Sequence, residues 1–268
     1  MVSIVAAPAV AAGEADLRID LGVALRHFDY REFSTSDRLL DRERGIIPGV
    51  FFELSSVRGR LRGGVSLARF SGEVDYTGQT NLGLPVSTVT AERMVTLRPW
   101  LGWDSEYGGT ALQPYVGLGA HRWERDIRPT VLANGTPVSG LFEVYAWQTL
   151  DAGVKLRVLA GERSEGWFHA TVFRVLDPQL RLRFSSGQDE ARLYLGERSG
   201  FRLGVLGHYA LDKRLRLQWD IGVEKWAFGR SAPVPLTTGN GSITVGTVTE
   251  PRSETRSIDL ALGLATSF

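Results

Sequence analysis

The last twelve residues, SIDLALGLATSF (257–268), carry the pattern that decides the fold. Ile258, Leu260, Leu262, Leu264, Thr266 and Phe268 share one parity, and Ser257, Asp259, Ala261, Gly263, Ala265 and Ser267 take the other. A period of two marks a β-strand with unlike faces. One face is continuously apolar; the other is small or charged. What the apolar face meets is decided by the rest of the chain.

Nine further runs alternate in the same way. In DLRIDLGVALRHF, Leu17, Ile19, Leu21, Val23 and Leu25 oppose Asp16, Arg18, Asp20 and Arg26. In GVFFELSS, Val50, Phe52 and Leu54 oppose Phe51 and Glu53; in RLRGGVSLARF, Leu61, Val65 and Leu67 oppose Arg62, Gly64 and Ser66. RMVTLRPWLGW, QPYVGLGAHRW, EVYAWQTLDAGVKLRVL, WFHATVFRV, SGFRLGVLGHYAL and RLRLQWDIGVEKWAF follow. Almost no segment has a 3.6-residue period. Connections alternate in length: short at 55–59, 104–111, 160–166 and 211–214, long at about 29–48, 73–92, 126–142, 176–198 and 229–254. Short turns at one rim and long loops at the other predict a closed antiparallel transmembrane barrel, with the turns periplasmic and the loops extracellular. The runs also have the roughly 9–11 residues a tilted membrane strand needs.

Ten strands are favoured, with twelve or eight as alternatives. LRLRF and ARLYL, inside 176–198, are too short to cross a membrane and read as a tall hairpin on strands seven and eight. Aromatic residues near strand ends suggest two interfacial girdles. Trp103, Tyr107, Trp167, Tyr209 and Phe268 would form one on the turn side, and Phe28, Tyr30, Tyr76, Trp123 and Trp226 the other on the loop side. A soluble sandwich or lipocalin-like barrel would turn the apolar stripes inward; the loop asymmetry and Phe268 argue against it.

The ending resembles the C-terminal signal of bacterial outer-membrane proteins, a terminal aromatic preceded by alternating apolar residues, here Leu260, Leu262, Leu264 and Phe268. The architecture resembles small barrels of the OmpA-like and omptin-like kind over nearly the whole chain. These resemblances imply the outer membrane of a Gram-negative cell, contact with membrane lipid and lipopolysaccharide, and recognition by the barrel-assembly machinery. Residues 1–13, MVSIVAAPAVAAG, resemble the end of a secretory signal peptide or form a flexible arm, leaving 14–268 as one barrel domain.

The totals narrow the function. Net charge is +1 over 268 residues, giving no footprint for nucleic acid. There is no cysteine, so disulfides, thiolate metal sites and thiol catalysis are absent. Lysine occurs only at Lys155, Lys213 and Lys225. No Walker, GxGxxG or HExxH motif occurs, and no cofactor is expected.

With the apolar parity facing lipid, the other lines the lumen: Arg18, Asp20, Arg26, Glu53, Arg62, Arg98, Asp151, Lys155, Arg157, Arg202, Arg216, Asp220, Glu224 and Asp259. Buried charges of both signs are tolerated when paired, so an arginine–carboxylate network is expected to fill a narrow bore. The favoured reading is a structural or surface-interaction barrel. A narrow porin-like channel uses the same residues. A third reading is a rim enzyme, an omptin-like protease or a lipid A-modifying hydrolase, using His27 or His121 as a base; the loops contain no Asp-His or paired-Asp motif to support it. His169 and His208 read as lumen residues. The loop acids Asp37, Asp41 and Glu43 fit no calcium-loop spacing. Asn134-Gly135 and Asn240-Gly241 read as hairpin turns.

Overall fold

A computed structural model describes residues 16–80 and 83–268. The signal-like segment 1–13 lies outside the described residues. Ten strands close the barrel: β1 (Asp16–Phe33), β2 (Leu39–Arg58), β3 (Leu61–Gln79), β4 (Pro85–Trp103), β5 (Thr110–Ile127), β6 (Leu141–Ala160), β7 (Ser164–Phe184), β8 (Ser199–Ala210), β9 (Leu215–Phe228) and β10 (Arg252–Ser267). Each pairs antiparallel with its sequence neighbour, and β10 returns to β1 in the register Leu21↔Leu264, Val23↔Leu262, Leu25↔Leu260. Closure leaves no unpaired edge, which a sheet surrounded by hydrocarbon requires.

The strands are longer than a membrane needs. The 20 residues of β6, at about 3.3 Å each and a tilt of about 40°, rise roughly 50 Å. The lipid-facing band of such a barrel is about 25 Å tall. The surplus lies on the loop side. There the long connections are built mostly as ladder: β1 and β2 stay paired to Phe33↔Leu39, and β3 and β4 to Gln79↔Pro85. LRLRF is the end of β7, and Ala191–Tyr194 pairs back onto it as a tall hairpin. Val234–Thr238 and Ile243–Val248 form a separate hairpin whose turn places Asn240 at φ 57° and Gly241 at φ 82°, the left-handed region those residues tolerate.

The outward stripe is a belt of exposed aliphatics, including Leu21, Val23, Leu25, Val50, Leu97, Leu118, Ile221, Leu260 and Leu262. On the loop side it stops abruptly. The next outward positions carry Asp29 and Arg31 on β1, Arg44 and Arg42 on β2, Arg93 on β4, and Arg122 and Glu124 on β5. Strand beyond those positions projects out of the membrane.

The aromatic girdles need correction. Trp103, Tyr107, Tyr209 and Phe268 are exposed on the turn side, but Trp167 is buried. The loop-side set turns inward: Phe28, Tyr30 and Trp123 are fully buried, Trp226 nearly so, and Tyr76 shares their inner parity. The reason is the pleat. Phe28 and Tyr30 lie two and four residues beyond Arg26, so they stand on the lumen face of β1. Their rings fill the outer half of the bore instead of anchoring to headgroups.

Candidate functional site

The structure places all fourteen predicted lumen residues on the inner face. In the membrane-level bore, Arg26 holds Asp259 at 2.7 Å and Glu224 at 3.6 Å and lies over the Phe70 ring. Arg202 meets Glu224 at 2.7 Å, and Arg98 meets Asp151 at 2.9 Å. Lower down, Arg18 meets Asp20 at 2.6 Å and reaches Gln218 on β9 and His208 on β8. Arg62 pairs with Asp104, and Arg216 with Glu165. Asp220 bonds His169 at 3.0 Å. Lys155 and Arg157 lie over the Trp100 and Trp167 rings. Glu53 faces the space between two cavities of about 310 and 380 Å³, which share Glu53, Trp100, Lys155, Leu206 and Gln218 in their walls. Inward glycines make room for large neighbours. The Phe51 ring lies against Gly263, where a Cβ would stand 2.8 Å from the ring and 2.5 Å from the Leu21 carbonyl oxygen.

Above these chambers a layer of aromatic rings crosses the bore. Trp123 packs on Phe28 (5.7 Å between centroids), Tyr30 (5.2 Å) and Tyr145 (4.8 Å), and Phe228 continues the chain of rings from Tyr145 to Trp147. These rings come from β1, β5, β6 and β9, so the layer crosses the barrel. At its centre lies Arg125, fully buried. Its Nη2 is 3.0 Å from Glu43, and its Nη1 donates to Glu143, to Tyr30 (3.2 Å) and to Tyr145 (3.1 Å), with Glu32 at 3.4 Å. Thr90 donates to Glu43 at 2.6 Å, the Trp123 indole to Glu92, and Tyr145 to Glu250 at 2.7 Å. This cluster stands beyond the apolar belt. Burial pushes the Glu143 carboxyl up to about 7 despite the pull of Arg125. It likewise holds Asp41, Glu92 and Glu250 well above the ordinary carboxylate range.

None of Tyr30, Glu32, Glu43, Glu92, Trp123, Arg125, Glu143, Tyr145 and Glu250 was identified from sequence as part of this site. The available signal was parity: each strand residue among them continues the lumen stripe of its strand past the membrane.

The residues proposed for rim chemistry do not converge. His27 faces outward, and Arg44 donates to its Nε2 at 3.3 Å. His121 faces inward, stacked on Trp147 and bonded to Thr96 and Thr149. Among the described residues neither bonds a carboxylate. Asp37 pairs with Arg252 at the surface, Asp41 lies beside Glu32, and Glu43 holds Arg125. Among the described residues no three histidine or carboxylate side chains are set to hold a metal ion.

A closed antiparallel ring with an apolar belt outside and charges inside defines an outer-membrane β-barrel, here with ten strands. Its fold is similar to the outer membrane protease OmpT from Escherichia coli, with a TM-score of 0.65 over 97% of this chain and 99% of that one, at 9% identity. The translocator domain of autotransporter NalP from Neisseria meningitidis covers 93% of this chain and 88% of its own, with a TM-score of 0.41 and 10% identity. OprG from Pseudomonas aeruginosa covers 94% and 95%, with a TM-score of 0.37 and 10% identity. No protein-family model and no curated protein matches the sequence. The likeness is one of fold, and the outer membrane of a Gram-negative cell is where such a barrel sits.

Proposed function

We propose that the protein is a non-catalytic outer-membrane barrel that displays tall hairpins at the cell surface and keeps its lumen shut at neutral pH. Arg125 carries this reading. A fully buried guanidinium tied to β1, β2 and β6 bolts opposite walls together. Removing one partner from such a buried cluster costs several kcal/mol, so the layer does not open by side-chain fluctuation. The charge pairs below it hold the bore in shape. A narrow channel is the competing reading, favoured by the two chambers, the lower of which is lined mainly by polar groups, but it needs water to pass the Arg125 layer.

Partners follow from the outer surface. Arg69 and Arg122 flank Val95 across β3, β4 and β5 at the loop-side edge of the belt, with Arg93 one pleat above. Three arginines at headgroup level suit the phosphates of lipopolysaccharide. The C-terminal strand, ending on Phe268, is the segment the assembly machinery would read. The test of the closed bore is planar-bilayer recording at neutral pH. No steady conductance is expected. Steady ohmic steps, lost on replacing Arg98 or Asp220, would refute the closed bore and favour the channel.

A further inference from the structure

The layer that shuts the bore holds far more acid than base. Six carboxyl groups face it: Glu32 from β1, Asp41 and Glu43 from β2, Glu92 from β4, Glu143 from β6, and Glu250 from the segment before β10. The phenols of Tyr30, Tyr76 and Tyr145 complete the titratable set, and Arg125 is the cation at its centre. The nearby basic residues are engaged outside: Arg31 and Arg42 with Asp29, Arg252 with Asp37 and Glu254, Lys225 with Glu254.

Asp41 stands opposite Glu32 in the β1–β2 register, and Glu92 stands opposite Arg125, which holds Glu43. Asp41 Oδ1 and Glu92 Oε1 are buried with no hydrogen-bond partner. A carboxylate accepts and does not donate, so a buried carboxylate beside a second one with no donor is costly, and a proton removes that cost. The closed layer is therefore a protonated layer. Once those protons leave, six negative charges share one guanidinium in a dry space, and water must enter to solvate them. Directly beneath lie the two chambers that share Glu53, Trp100, Lys155, Leu206 and Gln218. Water crossing the layer would join them to the exterior.

We infer that the barrel has a second, conditional activity: deprotonation of the carboxyl pairs Asp41–Glu32 and Glu92–Glu43 opens the Arg125 layer into a path for small cations. Cations are the class favoured because the newly wetted constriction is ringed by carboxylates. The inference rests on the closed-bore reading.

The test is recording of the full-length protein in planar bilayers with potassium chloride at pH 6 and at pH 9, beside the double variant Asp41→Asn, Glu92→Gln. The amides are neutral at both pH values and still donate a hydrogen bond, so they imitate the protonated pairs. The wild type should be silent at pH 6. At pH 9 it should show steps at least tenfold more frequent, with a reversal potential displaced toward that of potassium under a tenfold salt gradient. The double variant should lose the steps at pH 9 while keeping its β-sheet circular dichroism. Silence of the folded wild type at pH 9 overturns the inference and leaves the closed bore standing. Equal opening of the double variant at pH 9 also overturns it, as does unfolding of the wild type there. Steady steps at pH 6 would instead refute the closed bore itself.

Discussion

Replacing Glu143 by glutamine isolates the cost of ionising the outer layer. Glu143 is buried against Arg125 and Tyr145 above the membrane belt, and burial lifts its carboxyl from an ordinary 4.5 to about 7. A carboxyl whose folded-state value is raised binds its proton more tightly folded than unfolded. Its contribution to stability is therefore complete below about 4.5 and is lost as pH climbs through about 7. The interval is 7 − 4.5 = 2.5 units. At about 1.4 kcal/mol per unit, that is about 3–4 kcal/mol in full, most of it surrendered between mildly acidic and neutral pH. Glutamine has no such proton to lose. At pH 4.5 it is nearly isosteric with the protonated acid, and the two proteins should unfold at similar denaturant concentrations. By pH 8 the variant should have gained about 3 kcal/mol relative to the wild type, because only the wild type has ionised the side chain at position 143. The assay is guanidinium unfolding of the barrel in phospholipid vesicles, followed by tryptophan fluorescence, at half-unit steps from pH 4.5 to 8. The difference between the two stabilities is the quantity to read, since titration of Asp41, Glu92 and Glu250 is common to both. Parallel curves across that range would refute the account of a protonated outer layer.

Two further outcomes test the walls. Leu262 faces outward at the middle of β10, 51% exposed, so Leu262→Arg should destabilise the vesicle-embedded barrel by about 2–4 kcal/mol; an effect below about 1 kcal/mol would mean that this face does not meet hydrocarbon. Arg26 holds Asp259 and Glu224 in the bore, and Glu224 keeps Arg202, so Arg26→Ala should cost about 3–5 kcal/mol by leaving Asp259 unpaired, with a reduced guanidinium midpoint as the readout. An unchanged midpoint would mean that this pair contributes nothing to holding the bore.

Much of this was legible in the chain. The alternation from Ile258 to Phe268, repeated nine times, specified strands with one greasy face, and the spacing of turns specified how they close. The loop-side aromatics were legible too, but through parity and not through position. Phe28 and Tyr30 sit at the height expected of an interfacial girdle, yet share the even stripe of Arg18, Asp20 and Arg26. Position along a strand sets depth; parity sets side, and side decides burial. The long connections misled for another reason. Their Gly, Pro and Ser content resembles free loop, whereas tall hairpins can carry those residues because each strand still has a partner to hydrogen-bond.

Sequence alone determined which residues look out and which look in, because the pleat sends neighbours to opposite faces whatever the chain does elsewhere. Only the tertiary structure decided which inward residues meet. Arg125 finds Glu43 82 positions away and Tyr30 95 positions away, because curling the sheet shut carries β1 and β2 round to face β5. Whether the bore is a passage or a sealed well depends on that across-the-barrel contact, and no local pattern encodes it.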